Sequence, residues 1–333
     1  MESSSIPPAD PSEPGRPASG AFWLAALLAA SFGLLLIFSW VLFFSPTGQL
    51  GTTVVDFNQD LQAPSDWPRP DKPELRIAVA SMVSPEDTFE VYGELIQYLG
   101  EKTGRKPRMV QRMTYREIND LILSGFIHLG FICTGPYLKA LHAGRMEPLV
   151  IPVVNGKSYY RAYVIVPRRS SWASFNELRG KTFAFMDPDS LTGFLYPVSL
   201  LRKMGGAGPE EFFGDTFIVR SHTDLLHAVS YGLADGASVN SNVYDYYQKR
   251  RPREIEECRI LTVSEPLGMP PVVTGPGMPD GLRRRIRDAF LGMDRDPLGK
   301  SILDKMGVDA FAPAETIRGL YEATWAMFFS SER

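Results

Sequence analysis

A polar turn between a strand-like and a helix-like segment carries the clearest chemical signal in this chain of 333 residues. The apolar residues 183–186 end at Asp187, a turn rich in Asp, Ser and Thr follows as far as Gly193, and apolar residues then recur at helical spacing. Unpaired N–H groups and the positive end of the helix dipole meet at a helix start, and hydroxyl groups add donors. The turn predicts an anion site formed by Ser190, Thr192 and the amide of Gly193. An ordinary capped helix is the alternative.

Motifs of catalytic centres are scarce in this sequence. Its histidines form no H-E-x-x-H pattern, and no C-x-x-C or G-x-S-x-G motif occurs. Phosphate-binding loops of the G-x-x-x-x-G-K-[ST] or G-x-G-x-x-G type are absent as well. Asp187 and Asp189 could form an acid-base pair, but two carboxylates at a turn before a helix more simply stabilise the turn and the helix dipole. We therefore expect no enzyme, no metal site and no cofactor.

The composition indicates a globular protein that does not bind nucleic acid. Hydrophobic residues make up 44% and charged residues 22% of the chain, which suits a folded core. The formal net charge is −3, and no long basic stripe occurs. The basic run 283–287 lies on a predicted helix and is typical of a solvated helix face.

The N-terminal part predicts a membrane anchor. Residues 21–44 form an uncharged apolar run that is long enough to cross a ~30 Å hydrocarbon core as a helix. The preceding residues 1–20 predict a disordered tail, and Arg16, their only basic residue, favours a cytoplasmic N-terminus. No small-residue cleavage site follows the apolar run, which favours an uncleaved anchor over a removed signal peptide. Residues 45–73, rich in Gly, Pro and Asp, predict a flexible tether to an extracytoplasmic globular part.

Beyond the tether, strand-like and helix-like segments alternate. Strands are predicted at residues 76–80, 128–132, 160–166, 181–186, 216–219, 237–239, 260–263 and 271–274. Helices are predicted at residues 89–99, with Gly104 ending the segment, and at 280–293 and 314–328. Further helices are predicted to start at the capping box 114–117 and after Ser174, Gly193 and Ser221. This order predicts an α/β protein with mainly parallel sheets.

The order of several short motifs carries a family resemblance over residues 74–333. The motifs are Gly125-Phe-Ile-His-Leu-Gly130 leading to Gly135-Pro-Tyr137, Leu178-Arg-Gly-Lys181, Asp187-Pro-Asp-Ser-Leu-Thr-Gly193, Ser221-His222 and Gly232-Leu-Ala-Asp235. In this order they resemble the phosphate/phosphite/phosphonate substrate-binding proteins of ABC transporters. The resemblance implies a two-lobed type 2 periplasmic-binding-protein fold that closes over a small ligand. Lobe 1 would span 74–165, lobe 2 would span 166–264, and residues 265–333 would return to lobe 1.

The resemblance also implies ligand-binding residues. Ser190, Thr192 and Gly193 match the family's oxyanion turn, although Leu191 stands where the family has a hydroxyl residue. His222 matches a cleft histidine that donates to an anionic oxygen; a helix-start histidine without a ligand is the alternative. Tyr92 and Tyr137 are candidates for hydroxyl contacts from lobe 1. A place in the aromatic core is the alternative for both, and it is the favoured interpretation for Tyr92.

Two residues depart from the family pattern or add to it. Asn240 stands where the family commonly has Asp; an amide donates as well as accepts hydrogen bonds, so ligand identity stays open. Cys133 follows a predicted strand in a loop expected to face the cleft. It is either a small buried residue or a soft ligand, as in arsenite-sensing proteins of the same fold. A disulfide to Cys258 would join the two lobes and hinder their opening, so we expect none.

These features predict a membrane-anchored, extracytoplasmic binding protein that delivers a small oxyanion to an ABC permease. The alternative is a sensory subunit that binds arsenite or another oxyanion and acts on a membrane histidine kinase. A third, more distant hypothesis is an enzyme that modifies an anion. Neighbouring permease genes would favour transport, and a neighbouring kinase gene would favour sensing.

Overall fold

The computed structural model describes residues 73–330 of the chain. The predicted tail (1–20) and the predicted membrane span (21–44) lie outside this range, as does all of the tether (45–73) except its last residue. Among the described residues, no helix combines the length and the apolar character that a membrane crossing requires.

The strands and helices alternate along most of the described chain. The strands are β1 (Glu74–Val79), β2 (Lys106–Val110), β3 (Leu129–Phe131), β4 (Glu147–Val153), β5 (Tyr159–Tyr160), β6 (Ala162–Pro167), β7 (Thr182–Phe185), β8 (Asp215–Ile218), β9 (Gly236–Asn240), β10 (Cys258–Val263), β11 (Leu267–Gly268), β12 (Val272–Thr274) and β13 (Ala310–Pro313). The α-helices are α1 (Pro85–Thr103), α2 (Tyr115–Leu123), α3 (Thr134–His142), α4 (Tyr196–Lys203), α5 (Pro209–Phe212), α6 (His222–Ser230), α7 (Ser241–Arg250), α8 (Asp280–Leu291), α9 (Pro297–Met306) and α10 (Arg318–Phe328). A π-helical turn, Leu191–Leu195, leads directly into α4.

The elements form two lobes, each built around one sheet. The first sheet has six strands in the order β13-β4-β12-β3-β1-β2, and the second has five in the order β10-β6-β9-β7-β8. The chain passes between them through β5 and β11, which pair with each other in an antiparallel two-stranded ribbon. The border predicted at residue 165 falls inside β6, since the second sheet already includes Ala162.

The prediction of mainly parallel sheets is wrong, because both sheets are mixed. In the first sheet β1 runs parallel to β2 and β3, but β12 is inserted between β3 and β4 and runs antiparallel to both, as β13 does to β4. In the second sheet β7 runs parallel to β8 and β9, whereas β6 is antiparallel to β9 and β10. Strands that return from the other lobe can enter a sheet in the opposite direction, because an antiparallel neighbour needs no helical crossover.

Local side-chain bonds fix several helix ends as predicted. The Thr114–Glu117 capping box opens α2, with the hydroxyl and the carboxylate each accepting a backbone N–H bond. Ser221 caps α6 by accepting the N–H of Asp224 at 3.1 Å. Gly104 ends α1 in the left-handed conformation, at φ 68°, which glycine adopts without a steric penalty.

The core follows the alternation of side chains along the strands. On β1, Leu75, Ile77 and Val79 face a cluster formed with α1, α8 and α9, whereas Ala78 faces a second cluster. That second cluster continues through the interface of the lobes and includes residues on both faces of the second sheet, such as the consecutive residues 183–185 of β7. The two lobes are therefore packed against each other through apolar side chains as well as polar contacts.

Candidate functional site

The turn that was predicted to bind an anion lies at the interface of the two lobes. It contacts the start of α3: a Cβ on Gly135 would lie 2.3 Å from the carbonyl oxygen of Asp189 and 3.3 Å from the amide nitrogen of Leu191. Only a glycine at position 135 permits so close an approach. The N-terminal ends of two helical segments, one from each lobe, consequently meet at this point.

The two aspartates of the turn act as turn and interface partners. Asp187 accepts the N–H of Asp189 at 2.8 Å and, across the interface, the N–H of Tyr115 at 3.0 Å. Asp189 forms an ion pair with Lys139 of α3, with 2.6 Å between Oδ1 and Nζ. Each carboxylate thus has a partner in the opposite lobe, as expected of groups that shape the turn.

The structure brings Ser190, Thr192 and Gly193 together with His222. The Ser190 hydroxyl accepts the N–H of Gly193 at 3.0 Å, and the Thr192 hydroxyl lies 3.4 Å from His222 Nε2. A Cβ on Gly193 would meet Met186 at 2.7 Å and the His222 ring at 3.3 Å. Both hydroxyl residues are fully buried.

His222 is held in one tautomer by its neighbours. Its Nδ1 accepts the backbone N–H of Asn240 at 3.4 Å, so the ring proton resides on Nε2 and points to Thr192. Its own backbone N–H donates across the interface to the carbonyl oxygen of Met82 at 3.0 Å. Burial lowers the pKa of His222 to about 3, so the ring is neutral near pH 7.

Asn240 caps a helix and also faces the cleft. Its Oδ1 accepts the N–H of Asn242 at 2.8 Å, which satisfies one free donor at the start of α7. The residue is buried, yet its side chain lines a cavity between the lobes. The Asn240 side-chain amide therefore has a structural role beside any ligand contact.

Cys133 lies directly before α3 at the meeting point of the two helical segments. The backbone N–H groups of Leu191, Gly135 and Thr134 face the thiol and favour its thiolate form, but burial dominates and raises the pKa of Cys133. Cys133 and Cys258 are both buried and free.

Tyr115 and Tyr160, which the sequence did not predict as site residues, also lie close to Cys133. The Tyr115 hydroxyl contacts Met186 Sδ at 3.8 Å, and charge on the neighbouring Cys133 adds to burial in raising the pKa of Tyr115. The Tyr160 hydroxyl is buried beside the Thr134 side chain and forms no hydrogen bond of ordinary geometry among residues 73–330. Burial and the same cysteine raise the pKa of Tyr160. The sequence held no signal for either residue, since both lie at the ends of elements whose apolar pattern indicates core.

Tyr92 and Tyr137 each pack against another aromatic ring. The Tyr137 ring is buried and packs edge-on against Tyr321, with 4.9 Å between the centroids. The Tyr92 ring packs edge-on against Phe131 at 5.0 Å and lines the interlobe cavity, and burial raises the pKa of Tyr92 to about 12. In the described part of the chain, no hydrogen bond joins either hydroxyl to the turn.

We call Ser190, Thr192, Gly193 and His222 the polar cluster. A cavity of about 160 Å³ lies between the lobes beside it. Of the predicted site residues, Tyr92 and Asn240 line it. The other predicted residues are buried and are not among the lining residues; they are Ser190, Thr192, Gly193, His222, Tyr137 and Cys133. The lobes thus enclose two adjoining features, a buried polar cluster and a more open cavity.

A sequence profile of one protein family matches most of the described chain. The family is described as "ABC transporter, phosphonate, periplasmic substrate-binding protein", and the match covers residues 77–316. The phosphate-import protein PhnD of Mycolicibacterium smegmatis is 30% identical over 137 residues, which are 39% of this chain and 42% of that protein. The chain therefore matches less than half of the length of this relative.

Solved structures share the fold at low sequence identity. A binding protein component of an ABC phosphonate transporter from Pseudomonas aeruginosa superposes with a TM-score of 0.69 at 18% identity, covering 77% of this chain and 88% of that one. A Prochlorococcus marinus protein in complex with methylphosphonate superposes with a TM-score of 0.66 at 15% identity, covering 76% and 96%. These likenesses confirm the two-lobed α/β binding-protein fold.

Proposed function

Since the chain belongs to the family of periplasmic substrate-binding proteins of phosphonate ABC transporters, we propose that it binds a small phosphorus oxyanion between its lobes and presents it to an ABC permease. Proteins of this family bind solutes and are not enzymes. The relatives named above support the ligand class through their own names, phosphate import and methylphosphonate binding.

The hydrogen-bond directions in the turn carry the proposal. Ser190 Oγ accepts the backbone N–H of Gly193. Thr192 Oγ1 accepts the N–H of His222 Nε2, because His222 Nδ1 already accepts the backbone N–H of Asn240. A hydroxyl that already accepts a bond offers its own proton to a further partner. Two such protons suit a ligand that only accepts, such as a phosphonate or phosphate oxygen.

The surrounding backbone supports an anionic ligand as well. The helix starts at Thr134 and Leu191 direct their N–H groups and the positive ends of their dipoles toward the Cys133 thiol. The Tyr160 hydroxyl, which lies beside Thr134 and forms no hydrogen bond of ordinary geometry in the described chain, adds a donor in the same buried region. Because these groups come from both lobes, an anion held among them would join the lobes and stabilise their closed arrangement.

Calorimetry on the full chain tests the proposal. Purified protein is titrated with phosphate, phosphite, methylphosphonate and sulfate. We expect at least one phosphorus oxyanion to bind, and at 100 times its dissociation constant to stabilise the fold by about 2.7 kcal/mol. Failure of every phosphorus oxyanion to bind at millimolar concentration would overturn the proposal.

A membrane anchor at residues 21–44 would keep the binding unit beside its permease. The uncharged apolar run supports this part of the proposal, and it lies outside the described residues. The full chain should stay in the membrane fraction after alkaline carbonate extraction. A variant without residues 21–44 should be released, and equal behaviour of both forms would contradict the anchor.

Cys133 favours sensing as a second candidate function. A buried thiol at the start of α3, facing three backbone N–H groups, is a soft ligand for a thiophilic oxyanion such as arsenite. Under this alternative the closed protein would act on a membrane kinase. Arsenite should then bind the wild type and not Cys133→Ser, while phosphorus oxyanions bind both forms. Absence of arsenite binding to the wild type would remove this candidate.

A further inference from the structure

The interlobe cavity is larger and more apolar than an inorganic oxyanion needs. Val91 and Phe131 line it from one lobe, Val243 lines it from the other, and Met269 lines it from the connecting segment. At about 15 Å³ for each enclosed water, a volume of about 160 Å³ holds roughly ten water-sized groups. Phosphate and methylphosphonate each have only five non-hydrogen atoms.

The cavity adjoins the proposed oxyanion site. Ile132 lines the cavity and precedes Cys133 in the chain, and Met82 lines it while its carbonyl oxygen accepts the backbone N–H of His222. Asn240 also lines the cavity, and its backbone N–H donates to the His222 ring. A ligand with its oxyanion in the polar cluster would consequently extend its remaining atoms into the cavity.

The polar groups of the lining do not favour a cationic ligand group. Asn242 Nδ2 donates to Met269 Sδ at 3.3 Å, and the Asn242 backbone N–H donates to Asn240 Oδ1. Asp245 is the one acidic residue among the lining residues of the described chain, and it shares the lining with the basic Lys249 and Arg250. An ammonium group would lose its hydration without an excess of negative charge in return.

We infer that the ligand is an organophosphonate or phosphate monoester whose organic group is several atoms long and apolar. This inference rests on the proposed function, because the oxyanion has to be held by the polar cluster. The organic group then replaces water in the cavity and removes the surrounding apolar side chains from water, which is favourable in proportion to the buried area.

A series of alkylphosphonates tests the inference on the full chain by calorimetry. From methyl- to propyl- to butylphosphonate, affinity should rise about fourfold for each added methylene. Propylphosphonate should also bind more tightly than 2-aminoethylphosphonate, which has the same size but carries a charge. If methylphosphonate binds best, or if 2-aminoethylphosphonate exceeds propylphosphonate, the inference is wrong while the proposed function stands. If no phosphonate binds and phosphate and phosphite also fail to bind, the proposed function fails too.

A matched pair of variants on α1 locates the organic group. Val91 lines the cavity, whereas Phe89, two residues earlier, is 60% exposed and is not part of the lining. Val91→Gln should bring the ratio of butyl- to methylphosphonate affinity close to one, and Phe89→Gln should keep the wild-type ratio. The same ratio in both variants would show that the organic group binds elsewhere and would overturn the assignment of the cavity.

Discussion

Arg251 and Asp87 form an ion pair across the interface of the lobes, with 2.9 Å between Nη1 and Oδ1. Asp87 lies in the first turn of α1 and is only 4% exposed. Its other oxygen accepts the hydroxyl of Tyr247 at 2.5 Å and that of Thr223 at 3.3 Å. One carboxylate of the first lobe therefore holds three side chains of the second, and it stabilises the closed arrangement.

Replacing this carboxylate should loosen the interface. Asp87→Asn removes the charge that binds Arg251 and should lower the free energy of unfolding by about 1–3 kcal/mol, measured by urea denaturation. Small-angle scattering should report a larger radius of gyration. Glu90→Gln is the control, since Glu90 also pairs with Arg251, at 2.6 Å, but is exposed and should change stability by less than about 1 kcal/mol. Equal effects of the two variants would contradict a special role of Asp87.

Thr192→Val should weaken binding of the phosphorus oxyanion about 10- to 100-fold. The substitution keeps the shape of the side chain and removes the hydroxyl proton; a hydrogen bond to a charged group is worth about 1.5–3 kcal/mol. Thr216→Val on β8, in the same lobe, serves as the control and should bind normally. Calorimetry measures both, and wild-type affinity of Thr192→Val would remove this hydroxyl from the site.

Gly135→Ala should prevent close contact of the lobes. The added Cβ would lie 2.3 Å from the Asp189 carbonyl oxygen, so the two backbones must move apart at a cost of about 1–3 kcal/mol. We expect a lower midpoint of thermal unfolding and weaker oxyanion binding. Gly93→Ala inside α1 meets no atom within 4 Å and should be neutral or stabilising. A Gly135→Ala protein as stable as the Gly93→Ala protein would argue against this contact in solution.

His222 should make stability depend on pH. Its pKa of about 3 in the folded protein lies below the ordinary value of about 6.5 in the unfolded chain, so only the unfolded chain takes up a proton between these values. Stability should therefore be complete above pH 6.5 and fall as the pH decreases toward 3, by about 2 kcal/mol at pH 5.

Urea denaturation at pH 7.5 and pH 5 measures this contribution. His222→Gln lacks the titrating group and should lose about 2 kcal/mol less than the wild type over this interval. Parallel losses in the two proteins would assign the pH dependence to other groups.

Local side-chain chemistry determined the features that the sequence predicted well. The capping box at Thr114 and the cap at Ser221 act over three residues, so the residue types alone identify the helix starts. The same holds for the turn at Ser190, whose hydroxyl bonds to an amide three residues later. The order of such motifs was specific enough to identify the family, which the profile match over residues 77–316 confirmed.

Contacts between distant segments were decided only by the tertiary structure. Nothing in the sequence indicates that β12 enters between β3 and β4, or that Arg251 meets Asp87. The position of the buried Tyr160 hydroxyl beside Cys133 and Thr134 has no local signature either. Residue types and spacing determine which backbone groups need a partner within a few residues. The partner of a buried group such as Asp87 can come from the other lobe. The path of the chain, which crosses twice between the two sheets, decides which residue that partner is.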